Sequence, residues 1–171
     1  MNKEKGRPRS KGIALARAKK YLNEAKEILA NVKVKYGRYT DRGKVGDAAI
    51  TAFVAAINAV EGYLLSKGIP FEELPTSIDE YYSAIKKILK SEKLMAYFST
   101  VDENLRYLAH YEGGLNVDMI KAGIKSVEKI IKMLEVEHGK RKKARNTSYE
   151  RGSNCRSEEI SQERKGDFGK G

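Results

Sequence analysis

The chain has 171 residues, 40% of them apolar and 33% charged, with one cysteine, no tryptophan and a formal net charge of +11. One domain is the natural expectation at that length, and the lone Cys155 excludes an internal disulfide and any need for an oxidising compartment. The polar, basic opening Met1–Lys11 lacks the apolar stretch of a secretory signal, which leaves the cytoplasm as the default location.

The charge is unevenly distributed. Residues 1–12 carry net +4 and residues 139–171 net +5, while residues 13–138 are nearly balanced at net +2. A pI near 9.6 taken alone suggests a nucleic-acid binder; the partition moves that question to the two ends. Residues 1–12 have no apolar period and contain Gly6, Pro8 and Gly12, so they read as a disordered basic tail.

Ala18, Tyr21, Leu22, Ala25, Ile28, Leu29 and Val32 recur at steps of three and four, which predicts a first helix from about Ile13 to Val34. Gly37 and the polar segment 38–43 end it. A second helix runs from about Val45 to Ser66 with two apolar stripes, one of Ile50, Phe53, Ile57, Val60 and Leu64, the other of Ala49, Ala52, Ala56, Ala59 and Tyr63. A helix apolar on two faces is sandwiched between neighbours, and alanines let one neighbour come close. This stretch is about as long as a short membrane span. Thr51, Asn58 and Glu61 interrupt it, so it reads as a buried core helix with no membrane involved; Asn58 and Glu61, at i and i+3, are either a buried pair that must be satisfied and could mark a site or, as is more common, residues on the rim of the buried face.

Gly68 and Pro70 stop that helix. Ser77 and Glu80 have capping-box spacing and open a third helix whose apolar face is Ile78, Tyr81, Tyr82, Ile85, Ile88 and Leu89. A break near Ser91 leads to a fourth, in which Leu94, Phe98, Val101, Leu105 and Leu108 step 4-3-4-3. Gly113-Gly114 makes a terminating turn, Asn116 is a good N-cap, and Ile120, Ile124, Val127, Ile131 and Leu134 mark a fifth helix that closes at His138-Gly139. Gly123 inside it is unfavourable for helix by roughly 1 kcal/mol relative to alanine and predicts a close helix contact. From residue 139 on the chain reads as a second disordered basic tail. The expectation is an all-α, antiparallel bundle of about five helices over residues 13–138.

The runs Ser77–Ile85, Met95–Phe98 and Tyr111–Gly123 resemble a small bacterial family of helical bundles without a known activity, over roughly residues 10–137. That resemblance implies a fold and a bacterial cytoplasmic setting. More distantly, the layout resembles HEPN domains, through the Ala-rich helix ending in Lys67-Gly68-Ile69-Pro70 and through Arg106 and His110 shortly before a turn and a last helix. HEPN domains are often dimeric, and in active members an Arg and a His with four to six residues between them form a metal-independent RNase site across the dimer. Here three residues, Tyr107, Leu108 and Ala109, separate the pair.

At i and i+4, Arg106 and His110 share a helix face, where His could move a proton and Arg could stabilise developing charge on a phosphodiester. The bland alternative is a surface Arg and a helix-end His that caps carbonyls. Among the ten tyrosines, Tyr97, Tyr107 and Tyr111 are candidates for a self-association surface, weighed against ordinary packing at the core edge. Lys140, Arg141, Lys142, Lys143 and Arg145 form a cluster suited to weak, non-specific contact with nucleic-acid phosphates, or simply to a solvated tail. His110, His138 and Cys155 are scattered without metal-ligand spacing, so neither a metal nor another cofactor is expected. The leading functional expectation is therefore a non-catalytic interaction module acting as a homodimer or with another protein, with weak nucleic-acid contact through the tails. The alternative is a HEPN-type RNase that uses Arg106 and His110.

Overall fold

A computed structural model describes residues 8–133 together with 135 and 136; the tail calls on residues 1–7 and 139–171, and with them Lys140, Arg141, Lys142, Lys143, Arg145, His138 and Cys155, lie outside the described residues. Residues 8–133 form an all-α bundle of five helices with one small hairpin, within the compact unit that ends at Leu134.

Helix α1 spans Lys11–Ala30, capped by the Ser10 hydroxyl, which accepts from the Ile13 N–H. It starts earlier than its apolar stripe suggests. Pro8 is fully buried and the Arg9 guanidinium lies 5.7 Å from the centroid of the Phe71 ring, so residues 8–12, read as tail, are part of the bundle. The helix also stops four residues earlier than predicted. Asn31 turns back to donate to the Glu27 carbonyl, and Val34–Lys35 (β1) then pairs antiparallel with Arg38–Tyr39 (β2). The two-residue loop Tyr36-Gly37 has φ of 50° and 72°, the double positive φ of a type I′ hairpin turn. Glycine adopts that conformation freely; for tyrosine it is disfavoured by roughly 1–2 kcal/mol.

Helix α2 spans Arg42–Ser66 and is the centre of the bundle. Its alanines 48, 49, 52, 55, 56 and 59 are fully buried, as are Val60 and Leu64. Its most extensive partner is α1, which contributes Ala14, Ala18, Leu22 and Ala25. Small residues on both sides let the two helices pack closely. By length and composition α2 could cross a bilayer, but 72% of its apolar window is buried inside the protein. Asn58 and Glu61 are also buried, not on the rim. Tyr81 donates to a Glu61 carboxylate oxygen at 2.7 Å, and the Asn58 amide donates to the Val54 carbonyl at 2.8 Å. Hydrogen bonding makes the burial of Glu61 tolerable, while the Asn58 Oδ1 is buried with no hydrogen-bond partner among the described residues.

Helix α3 (Ile78–Ala84) runs on into a π-helical turn, Ile85–Leu89. The capping box is only half as expected. Ser77 accepts from the Glu80 N–H, but the Glu80 carboxylate reaches Thr76 and takes both its N–H and its hydroxyl. Helix α4 (Glu92–Val101), capped by Ser91, continues as a ten-residue π-helical segment, Asp102–Tyr111. The wider π turn shifts the buried register, so Leu94, Phe98, Val101 and Leu105 are buried as expected but Ala109 follows them in place of Leu108. Asn116 caps the last helix, α5 (residues 117–133), by accepting from the Met119 N–H.

Candidate functional site

Arg106 and His110 both sit in the π segment of α4, and the structure gives each a partner. The Arg106 Nε donates to the Asp102 Oδ1 one turn earlier. Asp102 also accepts from the Tyr82 hydroxyl at 3.1 Å, so one carboxylate ties α3 to α4. The guanidinium lies 5.9 Å from the Phe53 ring centroid and 5.8 Å from that of Tyr111, a cation between two π faces. The side chains of Arg106 and Asp102 are 25% and 13% exposed, so water only partly screens the pair. The hydrogen bond to Asp102 raises the Arg106 pKa, burial opposes that rise, and the charge on Asp102 adds to it. Arg106 stays cationic and locally neutralised.

His110 Nδ1 lies 3.3 Å from the Gly46 carbonyl in α2, and its ring meets Tyr111 edge-on at 5.1 Å. A carbonyl only accepts, so it is Nδ1 that donates in this contact. Arg106 and His110 therefore form one polar seam along α4, bounded by α2 on one side and α3 on the other.

Of the three tyrosines singled out, Tyr107 and Tyr111 are 50% and 60% exposed. Tyr97 is partly buried against the core, with the Lys129 ammonium of α5 4.9 Å from its ring centroid. The aromatic surface thus rests on Tyr107 and Tyr111. Among the described residues no three of His, Cys, Asp and Glu converge as a metal site would require. An open groove of about 1000 Å³ lies between α3 and α4, lined in part by Lys86, Lys87 and Lys90.

Asp102 and Tyr82 were missed as members of the seam. The i, i+4 spacing of Asp102 and Arg106 was a legible ion-pair signal. The Tyr82 contact spans 20 residues and has no local signature.

The Tyr82 phenol gives a pH prediction. Burial raises its pKa above the ordinary 10.0, a hydrogen bond with Ser99 opposes the rise, and the Asp102 charge adds to it. A raised pKa means the folded state favours the protonated phenol. The resulting stability is complete below about pH 10 and is lost as pH climbs through the raised value. Urea midpoints from pH 8 upward should therefore fall less steeply for Tyr82→Phe than for the parent. Tyr39, also raised by burial, leaves the variant some residual slope. Identical slopes would mean that Tyr82 does not titrate differently on folding.

A solved protein of unknown function from Dyadobacter fermentans is similar to the chain at 28% identity. The match covers 74% of this chain and 97% of that one, with a TM-score of 0.63. No curated protein matches the chain. The family described as "Domain of unknown function (DUF5618)" matches residues 13–136, the helical bundle itself, and the chain belongs to that family.

Proposed function

We propose that the chain is a non-catalytic interaction module that self-associates through the exposed face carrying Tyr107 and Tyr111, with weak nucleic-acid contact through its basic tails, in a cytoplasmic setting. The observation that carries this reading is the engagement of Arg106 by Asp102. A guanidinium poised to stabilise a phosphorane acts through its charge, and here the Asp102 carboxylate takes its Nε donor and offsets that charge. Glu103, the next residue, is exposed and adds a negative charge to the same segment. The Gly46 contact of His110 and the three-residue spacing of the pair support the same conclusion. Tyr107 and Tyr111 are large, amphipathic side chains one turn apart, the type enriched where proteins meet.

Two measurements on the full chain test this. In sedimentation velocity the parent should dimerise and Tyr107→Glu should shift toward monomer; a monomeric parent would remove the self-association reading. In EDTA, RNA cleavage should be absent or indifferent to His110→Ala and Arg106→Ala. Cleavage abolished by both would establish the HEPN-type RNase instead.

A further inference from the structure

The hairpin between α1 and α2 carries three features that nothing inside the described protein explains. Tyr36 occupies a left-handed position (φ 50°) that Asn or Gly would fill without strain. Its side chain packs on nothing: its relative exposure is 102%, the highest of any large apolar or aromatic residue described. Directly behind it, Lys35 and Arg38 are cross-strand partners, so two like charges face each other on one side of the hairpin. Lys33 lies two residues before Lys35 and therefore projects to that same side. Among the described residues, no carboxylate lies within ion-pair distance of Lys33, Lys35 or Arg38.

The hairpin is nonetheless firmly held. Tyr39 is buried, its N–H donates to the Leu115 carbonyl, the Val117 N–H donates to the Gly37 carbonyl, and Thr40 donates twice to the Lys33 carbonyl. A rigid, anchored tip thus displays one flat aromatic ring ahead of a row of unneutralised cations.

We propose that this hairpin is a binding site for single-stranded nucleic acid, with Tyr36 stacking on an unpaired base and Lys33, Lys35 and Arg38 holding the adjacent phosphates. A stacking ring beside a cationic track is the chemistry that single strands require. A duplex keeps its base faces stacked and offers the ring nothing. A second copy of this chain meeting the first hairpin to hairpin would set its own Lys33, Lys35 and Arg38 against the same cations. An anionic membrane surface would suit the lysines, but interfacial insertion depends on a broad apolar face, and here a single ring leads. The site is distinct from the tail cluster 140–145 and independent of the seam at Arg106.

The test is fluorescence anisotropy of the full chain with labelled oligo(U) and oligo(dT) of about 15 nucleotides, over roughly 50–200 mM salt. Tyr36→Asn should weaken binding about tenfold, as expected for the loss of one stacked base, and Tyr36→Phe should restore it. Tyr36→Asn should melt no lower than the parent, because Asn-Gly suits the turn better; lost binding is then not lost folding. Lys35→Ser with Arg38→Ser should lower the slope of log affinity against log salt by about 1.4. A variant with Lys140, Arg141, Lys142, Lys143 and Arg145 changed to Ser should keep the Tyr36 dependence. The proposal is overturned by any of three results: no oligonucleotide binding, binding that Tyr36→Asn leaves unchanged, or binding to phosphatidylserine vesicles without binding to either oligonucleotide.

Discussion

Replacing Phe98 with alanine should destabilise the protein by roughly 3–5 kcal/mol, the usual range for a fully enclosed phenylalanine. For a domain of this size that lowers the melting temperature by about 10–20 °C. Phe98 has no exposed surface and stands at the meeting point of α2, α3 and α4. The rings of Phe53, Tyr81 and Tyr82 lie 6.5, 6.1 and 5.3 Å away, the last edge-on. Two of these neighbours end in hydroxyls that hold carboxylates: Tyr81 donates to the buried Glu61 and Tyr82 to Asp102, the partner of Arg106. A cavity at position 98 therefore removes packing and also loosens the support of two hydrogen-bonded acids. Phe98→Leu, which keeps most of the volume, should cost less than about 1.5 kcal/mol. Urea unfolding of both variants checks this. A Phe98→Ala loss below about 1 kcal/mol would mean that the three helices do not converge on this ring as described.

Phe98 was legible from sequence, and so was most of the frame around it. The two stripes of α2 repeat with the helical period from Ala49 to Leu64, long enough for periodicity to identify a helix buried on two sides. Ser77 and Asn116 sit where their caps form, because an N-cap is a local interaction within a few residues. The hairpin was not legible. Its strands are two residues each, too short for alternation to register, and its turn carries Tyr-Gly where the recognisable signal is Asn-Gly or Asp-Gly. The exchange of Leu108 for Ala109 in the core follows from a π segment, whose i→i+5 bonding leaves no mark in a 4-3-4-3 pattern. The candidate site was legible as a pair and not as a chemistry. The spacing placed Arg106 and His110 on one face, but what each does depends on Tyr82, Phe53 and Gly46, which come from other helices. Tertiary partners decide whether an Arg/His pair is a reagent or a brace, and a helical repeat carries no information about them.

Gly123 is where sequence and structure agree on a close contact and where a small change should have a large effect. It is buried in α5, and a Cβ built there would lie 2.6 Å from both Cγ and Cδ2 of Leu105 and 3.2 Å from its Cδ1. Leu105 has no exposed surface, and its Cγ is not the free end of a flexible chain, so it has nowhere to move without disturbing the π segment that carries Arg106 and His110. Helix propensity alone predicts that Gly123→Ala stabilises by up to about 1 kcal/mol. The overlap opposes this, since forcing extra volume into a packed contact costs about 1–3 kcal/mol. The overlap should win, so that Gly123→Ala lowers the urea midpoint and Gly123→Val lowers it further. Shortening the opposing side chain supplies the decisive arm. Gly123→Ala combined with Leu105→Val should be more stable than the two single changes predict together, because each relieves the other, with a favourable coupling of about 0.5 kcal/mol or more. A Gly123→Ala variant that melts higher than the parent would show that α5 is free to stand off from α4, and the contact that orders this end of the seam would have to be sought elsewhere.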